Sequence, residues 1–283
     1  SNLKLILSID EFINNQILNF QNIEINTNAK NNIVNTSLAW NNNDSNSIGK
    51  VSSTIDFKSS EIIFATLEEF YLFDSSVGYW NMEGNPSINF IDDKYSLDSI
   101  LLSNANQSII LNGNIGPNLV DSLSLEIQDF QLNSLPMLFD INKNNTALEG
   151  VLNAHINFQS LLSKPQLFNE FNIDNFKFNS FPIGDVNFHS LWQESSNKFI
   201  LNGGLVNENN HQEIQLIDCY FYPNNDKKLD GIVKFDSTNI DFVSPFLPNN
   251  VLSNLQGLIS GDLSISGDPF HPKFNGVLHF NKG

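Results

Sequence analysis

The residues that could do chemistry in this 283-residue chain are five histidines, one cysteine and a few paired carboxylates. A metal centre needs His, Cys, Asp or Glu at spacings that bring their donor atoms to one point. His155, His189, His211, His271 and His279 show no such spacing. Three of them, His155, His189 and His279, alternate with apolar neighbours, which assigns them to the wet face of strands. No Gly-x-Ser-x-Gly elbow, phosphate-cradling loop or GxGxxG turn is present. The stretch SGDLSISGD (Ser260–Asp268) shares Gly-Asp steps with calcium-binding β-rolls, but it lacks their paired glycines and nine-residue recurrence. DKKLDG (Asp226–Gly231) lacks the ligand spacing of an EF-hand loop and reads as a turn. Glu68-Glu69 and Asp92-Asp93 read as solvated surface on loops or strand ends. Asn35-Thr36-Ser37 and Asn106-Gln107-Ser108 match glycosylation triplets, which chance supplies in so Asn-rich a chain. Cys219 lies between apolar neighbours and reads as a buried small hydrophobe, and as a lone cysteine it forms no intrachain disulfide. No catalytic residue, metal or cofactor is expected.

Charge narrows the partners. All 14 basic residues are Lys, and the net charge is −17. Phosphate backbones need clustered cations, so nucleic acid is excluded as a partner, and a basic patch for anionic membrane surfaces is equally absent. Codon bias in an AT-rich genome accounts for abundant Asn, Ile, Lys and Phe without Arg. No run approaches the roughly 18 consecutive apolar residues of a membrane-spanning helix. Ser1-Asn2 and the abrupt end at Gly283 are those expected of a fragment cut from a longer protein.

The elements behind these residues are strands. Leu148, Gly150, Leu152, Ala154, Ile156 and Phe158 alternate with Glu149, Asn153, His155, Asn157 and Gln159. Leu255, Gly257, Ile259, Gly261, Leu263 and Ile265 alternate with Gln256, Ser260, Asp262, Ser264 and Ser266. Leu123, Leu125 and Ile127 repeat the pattern, as do Phe176/Phe178 and Val186/Phe188. Period two with one apolar side is the signature of antiparallel strands with a dry and a wet face. Asn-rich clusters at 41–46, 142–145, 207–210 and 224–226 read as turns. Helical signals are short: Leu135–Ile141, Pro248–Leu255, and Asp10–Leu18 after a strand over Leu3–Ile9. None would cover a large sheet, and a dry sheet face must pack on something.

The chain also repeats itself. LEGVLNAHINF from Leu148 is echoed by LQGLISGDLSI from Leu255. Gly150 and Gly257, Ala154 and Gly261, and Pro165 and Pro272 each stand 107 residues apart, with no gap through the loop. Upstream, SIILNGNI (Ser108–Ile115) resembles KFILNGGL (Lys198–Leu205). The expected organisation is one continuous repeat region over 1–283: a diverged partial copy over 1–107, a first module over 108–197 and a truncated second over 198–283. One-faced strands repeated along a chain suggest an elongated architecture.

This repeat resembles that of TamB and the wider AsmA-like family of bacterial envelope proteins. Leu148, Gly150, Ala154, Ile156, Phe158 and Pro165 carry the resemblance, followed by Leu255, Gly257, Gly261, Leu263, Ile265, Gly267, Pro272 and Gly276. The first copy departs from it at Ala154 and at Asn169, where the second copy has glycine. The resemblance implies an all-β fold: an elongated, strongly curved antiparallel sheet, the U-shaped gutter or β-taco, with an apolar interior and only short helices. It implies the periplasm of a Gram-negative bacterium, with the full-length protein anchored in the inner membrane. It implies an Omp85-type outer-membrane partner, and a role in phospholipid transport to the outer membrane or in outer-membrane protein assembly.

On that reading the chain is not an enzyme, and phospholipid acyl chains are its ligands. Leu152, Ile156, Phe158, Phe176, Phe178, Leu263, Ile265 and Phe274 are the groove-lining candidates. Gly150, Gly257, Gly261 and Gly267 are structural glycines, placed where a tight bend leaves no room for side chains on the inner face. The alternative is a structural or adhesive cell-surface β-repeat protein whose dry faces close on one another. An enzyme on a β-scaffold would need polar residues clustered inside the concavity.

Overall fold

The computed structural model describes residues 2–14, 18–43, 46–75, 77–134, 147–163, 166–178, 180–207, 212–223, 228–239, 257–268 and 273–281. Among them no residue is in an α-helix, and eighteen strands form one antiparallel sheet. The expected helical turns at 135–141 and 248–255 lie outside the described residues, as do Pro165, Pro272, His211 and His271. Contacts divide the chain into two compact units: 1–130 with 134–144 and 157–165, and 131–133 with 145–156 and 166–283.

The first unit is a meander. β1 (Asn2–Asn14), β2 (Leu18–Lys30), β3 (Ile33–Asn41), β4 (Ser47–Phe57) and β5 (Ile62–Asp74) pair in chain order. β6 (Gly78–Glu83) and β7 (Ser87–Ile91) act as one interrupted strand, each pairing with β5 on one side and β8 (Lys94–Asn104) on the other. β9 (Gln107–Ile115) and β10 (Ser122–Gln131) follow. Asn31 and Asn32 both take positive φ, 51° and 65°, between paired Lys30 and Ile33. Asp92 and Asp93 do the same, at 49° and 64°, between Ile91 and Lys94. Two successive left-handed residues make the tight hairpin turn whose twist matches the flanking strands, and Asn and Asp tolerate that conformation.

One sequence expectation is corrected here. The helix expected over Asp10–Leu18 is absent from its described residues: β1 continues to Asn14, with Glu11 paired to Gln21 and Phe12 to Phe20, and Leu18 opens β2. Nine residues cannot offset the cost of helix nucleation alone, whereas an antiparallel partner supplies backbone hydrogen bonds at once.

The second unit is likewise a meander. β11 (Leu148–Gln159) is divided between the units after Ile156. It precedes β12 (Gln166–Phe178), β13 (Phe181–Gln193), β14 (Lys198–Asn207), β15 (Gln212–Tyr222), β16 (Lys228–Asn239), β17 (Leu258–Gly267) and β18 (Lys273–Asn281). From β12 onward each strand pairs with the next. β11 lies beside β12, where Lys177 Nζ bonds Glu149 Oε2 at 3.0 Å.

Bulges interrupt these ladders. Residues 174–175 oppose Asp185, and 236–237 oppose Ser260. The left-handed residue in each is not glycine: Asn175 (φ 52°) and Ser237 (φ 49°). In both, the opposing side chain satisfies the displaced amide. Asn175 N–H donates to Asp185 Oδ1 at 2.7 Å, and Ser237 N–H donates to Ser260 Oγ at 3.0 Å. A bulge of this kind bends its strand and raises local twist.

Candidate functional site

Cross-strand partners share a face, so the strand registers sort the rungs of the sheet into dry and wet. In the second unit one rung runs Ile173, Val186, Leu205, Ile214, Phe235, Gly261, Leu278 across seven strands. The next on the same face runs Phe171, Phe188, Gly203, Leu216, Val233, Leu263, Gly276. Between them, on the other face, lies Asn172, Asn187, Gly204, Gln215, Lys234, Asp262, Val277. The first unit is built alike. Leu3, Ala29, Val34, Ile55, Ala65, Ile88, Leu97, Gly113 and Leu123 form one apolar rung, and Lys4, Asn28, Asn35, Thr54, Thr66 and Ser87 form a polar one.

The dry face of the second unit is only partly closed. Cys219, Val233, Phe235, Ile259 and Ile265 form a buried cluster, with Leu201, Ile214, Leu216, Leu263 and Leu278 half-buried against it. The face opens toward β18, where Phe274 is 55% exposed and Phe280 69%.

The sequence-derived candidates fall unevenly on this surface. Leu263, Ile265 and Phe274 come together: Ile265 pairs with Phe274, and Leu263 lies one step along the same face. Ile265 is buried and belongs to the cluster, Leu263 is half-buried, and Phe274 is open. Phe176 pairs with Gly184 and Phe178 with Phe181, both beside the bulge in β12. Leu152, Ile156 and Phe158 are half-buried in β11, with Phe158 in the first unit and the other two in the second. The selection passed over Val233, Phe235, Leu216 and Ile214, which sit between these candidates. Their alternation was readable, but which alternating run joins which rung depends on register, and the bulges set that.

The four glycines occupy different situations. Gly261 has φ 142°, and a Cβ there would stand 2.4 Å from the Val277 carbonyl oxygen of β18. Gly150 has φ 135°, with the Asp174 carbonyl oxygen 3.0 Å from such a Cβ. L-residues rarely adopt this backbone conformation, so close strand approach and torsion together select glycine. Gly257 stands just before β17, and Gly267 ends it in open space.

Cys219 is 1% exposed, and its thiol donates to the Ile232 carbonyl at 3.4 Å. His189 lies on a polar rung between Glu170 and Asn202, while His155 and His279 are exposed. Among the described residues no three His, Cys, Asp or Glu side chains converge as metal ligands would. A hollow of about 340 Å³ over the polar side of β2–β4 is lined by Asn26, Asn28, Asn35, Ser37, Ser52 and Thr54, and holds none of the candidates. Among the described residues no helix is long and apolar enough to cross a membrane.

Searches of curated proteins and of solved structures each return no match. The family model described as "TamB, N-terminal domain" matches residues 15–280, nearly the whole length of the strand array described above, and the chain belongs to the TamB family.

Proposed function

We propose that this chain is a non-enzymatic segment of a periplasmic bridge, whose dry sheet face forms a groove for phospholipid acyl chains moving toward the outer membrane. Support for outer-membrane protein assembly is the companion role. The family is a Gram-negative envelope family of transport and assembly components. In the full-length protein the segment would lie between an inner-membrane anchor and an Omp85-type outer-membrane partner, with the 107-residue echo marking repeat modules at 108–197 and 198–283.

The observation that supports this most is the unbroken apolar rung from Ile173 to Leu278, flanked by a polar rung on the opposite face. Bulges at β12 and β16 favour bending such a sheet about its dry face. Exposing an acyl chain to water costs about 0.8 kcal/mol per CH₂, so a sixteen-carbon chain faces a barrier on the order of 12 kcal/mol. A continuous dry wall would remove most of it, and because apolar contact is non-directional it needs no sharp binding site.

The buried cluster around Ile259 favours a second reading, a β-repeat with a closed core and a structural or adhesive role. Native mass spectrometry of the purified chain separates the two. Retained phospholipid, released by organic extraction, is the expected result. A lipid-free chain that also takes up no fluorescent fatty acid supports the closed core instead.

A further inference from the structure

Val120 is 87% exposed, more than any other large hydrophobic side chain among the described residues, and its neighbour Leu119 is 67% exposed. Both stand in the connection from β9 to β10. The turn that follows β11 adds Leu162, 59% exposed, and belongs to the same unit.

These two loops are braced against each other. Ser160 N–H donates to the Asp121 carbonyl at 2.9 Å, and Ser160 Oγ donates to the Leu119 carbonyl at 2.9 Å. Asp121 is 3% exposed, accepts the Asn118 N–H at 3.1 Å and pairs with Lys94 Nζ of β8 at 2.7 Å. Ser160 is also 3% exposed and is held at φ 54°, a conformation that costs a non-glycine residue. A buried carboxylate and a strained serine thus fix the loops that carry three aliphatic side chains into water, and fixed apolar surface of this kind marks a contact site.

The chemistry of the tip selects its partner. Residues 116–120 and 160–163 include no charged side chain, and Lys94 neutralises Asp121. Covering the tip therefore strips water from no unpaired ion. Three aliphatic side chains fall far short of the roughly 1,000 Å² that a specific protein interface buries. A bilayer demands neither that area nor shape complementarity, only apolar surface. Asp92 and Asp93, exposed in the turn just before Lys94, and the net charge of −17 oppose an anionic surface.

We propose that this braced tip inserts Leu119, Val120 and Leu162 into the interface of a zwitterionic bilayer and so docks the first unit on a membrane surface. The contact is shallow and reversible, because the three side chains bury fewer carbons than a single myristoyl chain, itself a marginal anchor. The tip acts whether or not acyl chains travel along the dry face.

The test is co-sedimentation of the whole chain with phosphatidylcholine vesicles, with and without added phosphatidylglycerol. The wild type should bind the zwitterionic vesicles and lose affinity as phosphatidylglycerol is added. Leu119→Ser/Val120→Ser should lower the partition coefficient about tenfold or more. Its thermal melting should match the wild type, because both side chains already face water. Phe274→Asp, in the other unit, should bind vesicles as the wild type does. A wild type that stays in the supernatant overturns the proposal, as does stronger binding to the anionic vesicles. So does binding that survives the double substitution or vanishes with Phe274→Asp. Self-association without vesicle binding, lost in the double variant, would make the tip a protein contact and overturn it too. A chain that binds vesicles through the tip but takes up no fatty acid keeps this inference and loses the groove.

Discussion

Ile265 and Phe274 are cross-strand partners on one face, yet they should respond oppositely to the same substitution. Ile265 is 9% exposed and packs with Cys219, Val233, Phe235 and Ile259. Ile265→Asp gives up about 1.5–3 kcal/mol of side-chain burial, and burying a carboxyl group without a partner adds about 2 kcal/mol or more. The total is roughly 3.5–5 kcal/mol or more, enough to unfold a marginal domain. Phe274 is 55% exposed on β18, the strand that pairs with β17. Less than half of a phenylalanine's ~200 Å² is then at stake, about 2 kcal/mol at 25 cal/mol per Å², and the new carboxylate stays hydrated. Urea titration should show a large loss of midpoint for Ile265→Asp and a small one for Phe274→Asp. Fatty-acid uptake by the folded Phe274→Asp protein should fall sharply. Equal destabilisation by the two would refute the division into closed floor and open wall. Undiminished uptake in Phe274→Asp would refute the placement of that wall in the lipid path.

Gly261→Ala combines a φ of 142° with a Cβ 2.4 Å from a backbone oxygen, and should cost about 2–4 kcal/mol in urea titration. Gly267→Ala, at φ 97° with nothing within 4 Å, should cost less, so equal losses would deny the close strand approach. Asp121 is 3% exposed, paired with Lys94 at 2.7 Å, and accepts the Asn118 N–H. The bond from Lys94 holds its pKa below the ordinary carboxylate value. Its stabilising contribution is therefore full above the unfolded-state pKa near ~3.9 and lost as pH falls through the lower folded value. Asp121→Asn should flatten that acid limb of stability between about pH 5 and 2, and an unchanged limb would show the pair contributes nothing. The Cys219 thiol should react with a thiol reagent only as fast as the chain unfolds, whereas burst labelling of native protein would contradict its burial.

The wet-and-dry alternation was legible wherever polar and apolar residues strictly took turns, as in β11 and β17, and the 107-residue echo followed from it. Register was not legible. A bulge such as that at 236–237 adds one residue to one strand, and its cause lies in the opposing strand, where Ser260 caps the displaced amide. Asp92-Asp93 read as solvated charge because two adjacent acids suggest surface before turn geometry. At Gly261 the sequence suggested room for a bend, and the structure adds a nearer cause in the Val277 carbonyl oxygen facing the missing Cβ.

The central claim is that one face of this sheet, and not the other, meets acyl chains. Phe274 and Val277 lie on opposite faces of β18 at similar exposure, 55% and 66%. A benzophenone side chain placed at either position, in the chain incubated with phospholipid vesicles and irradiated, reports its neighbour directly. Strong lipid adducts at 274 with few at 277 are the predicted result. Equal labelling at both positions, or none at 274, would contradict it.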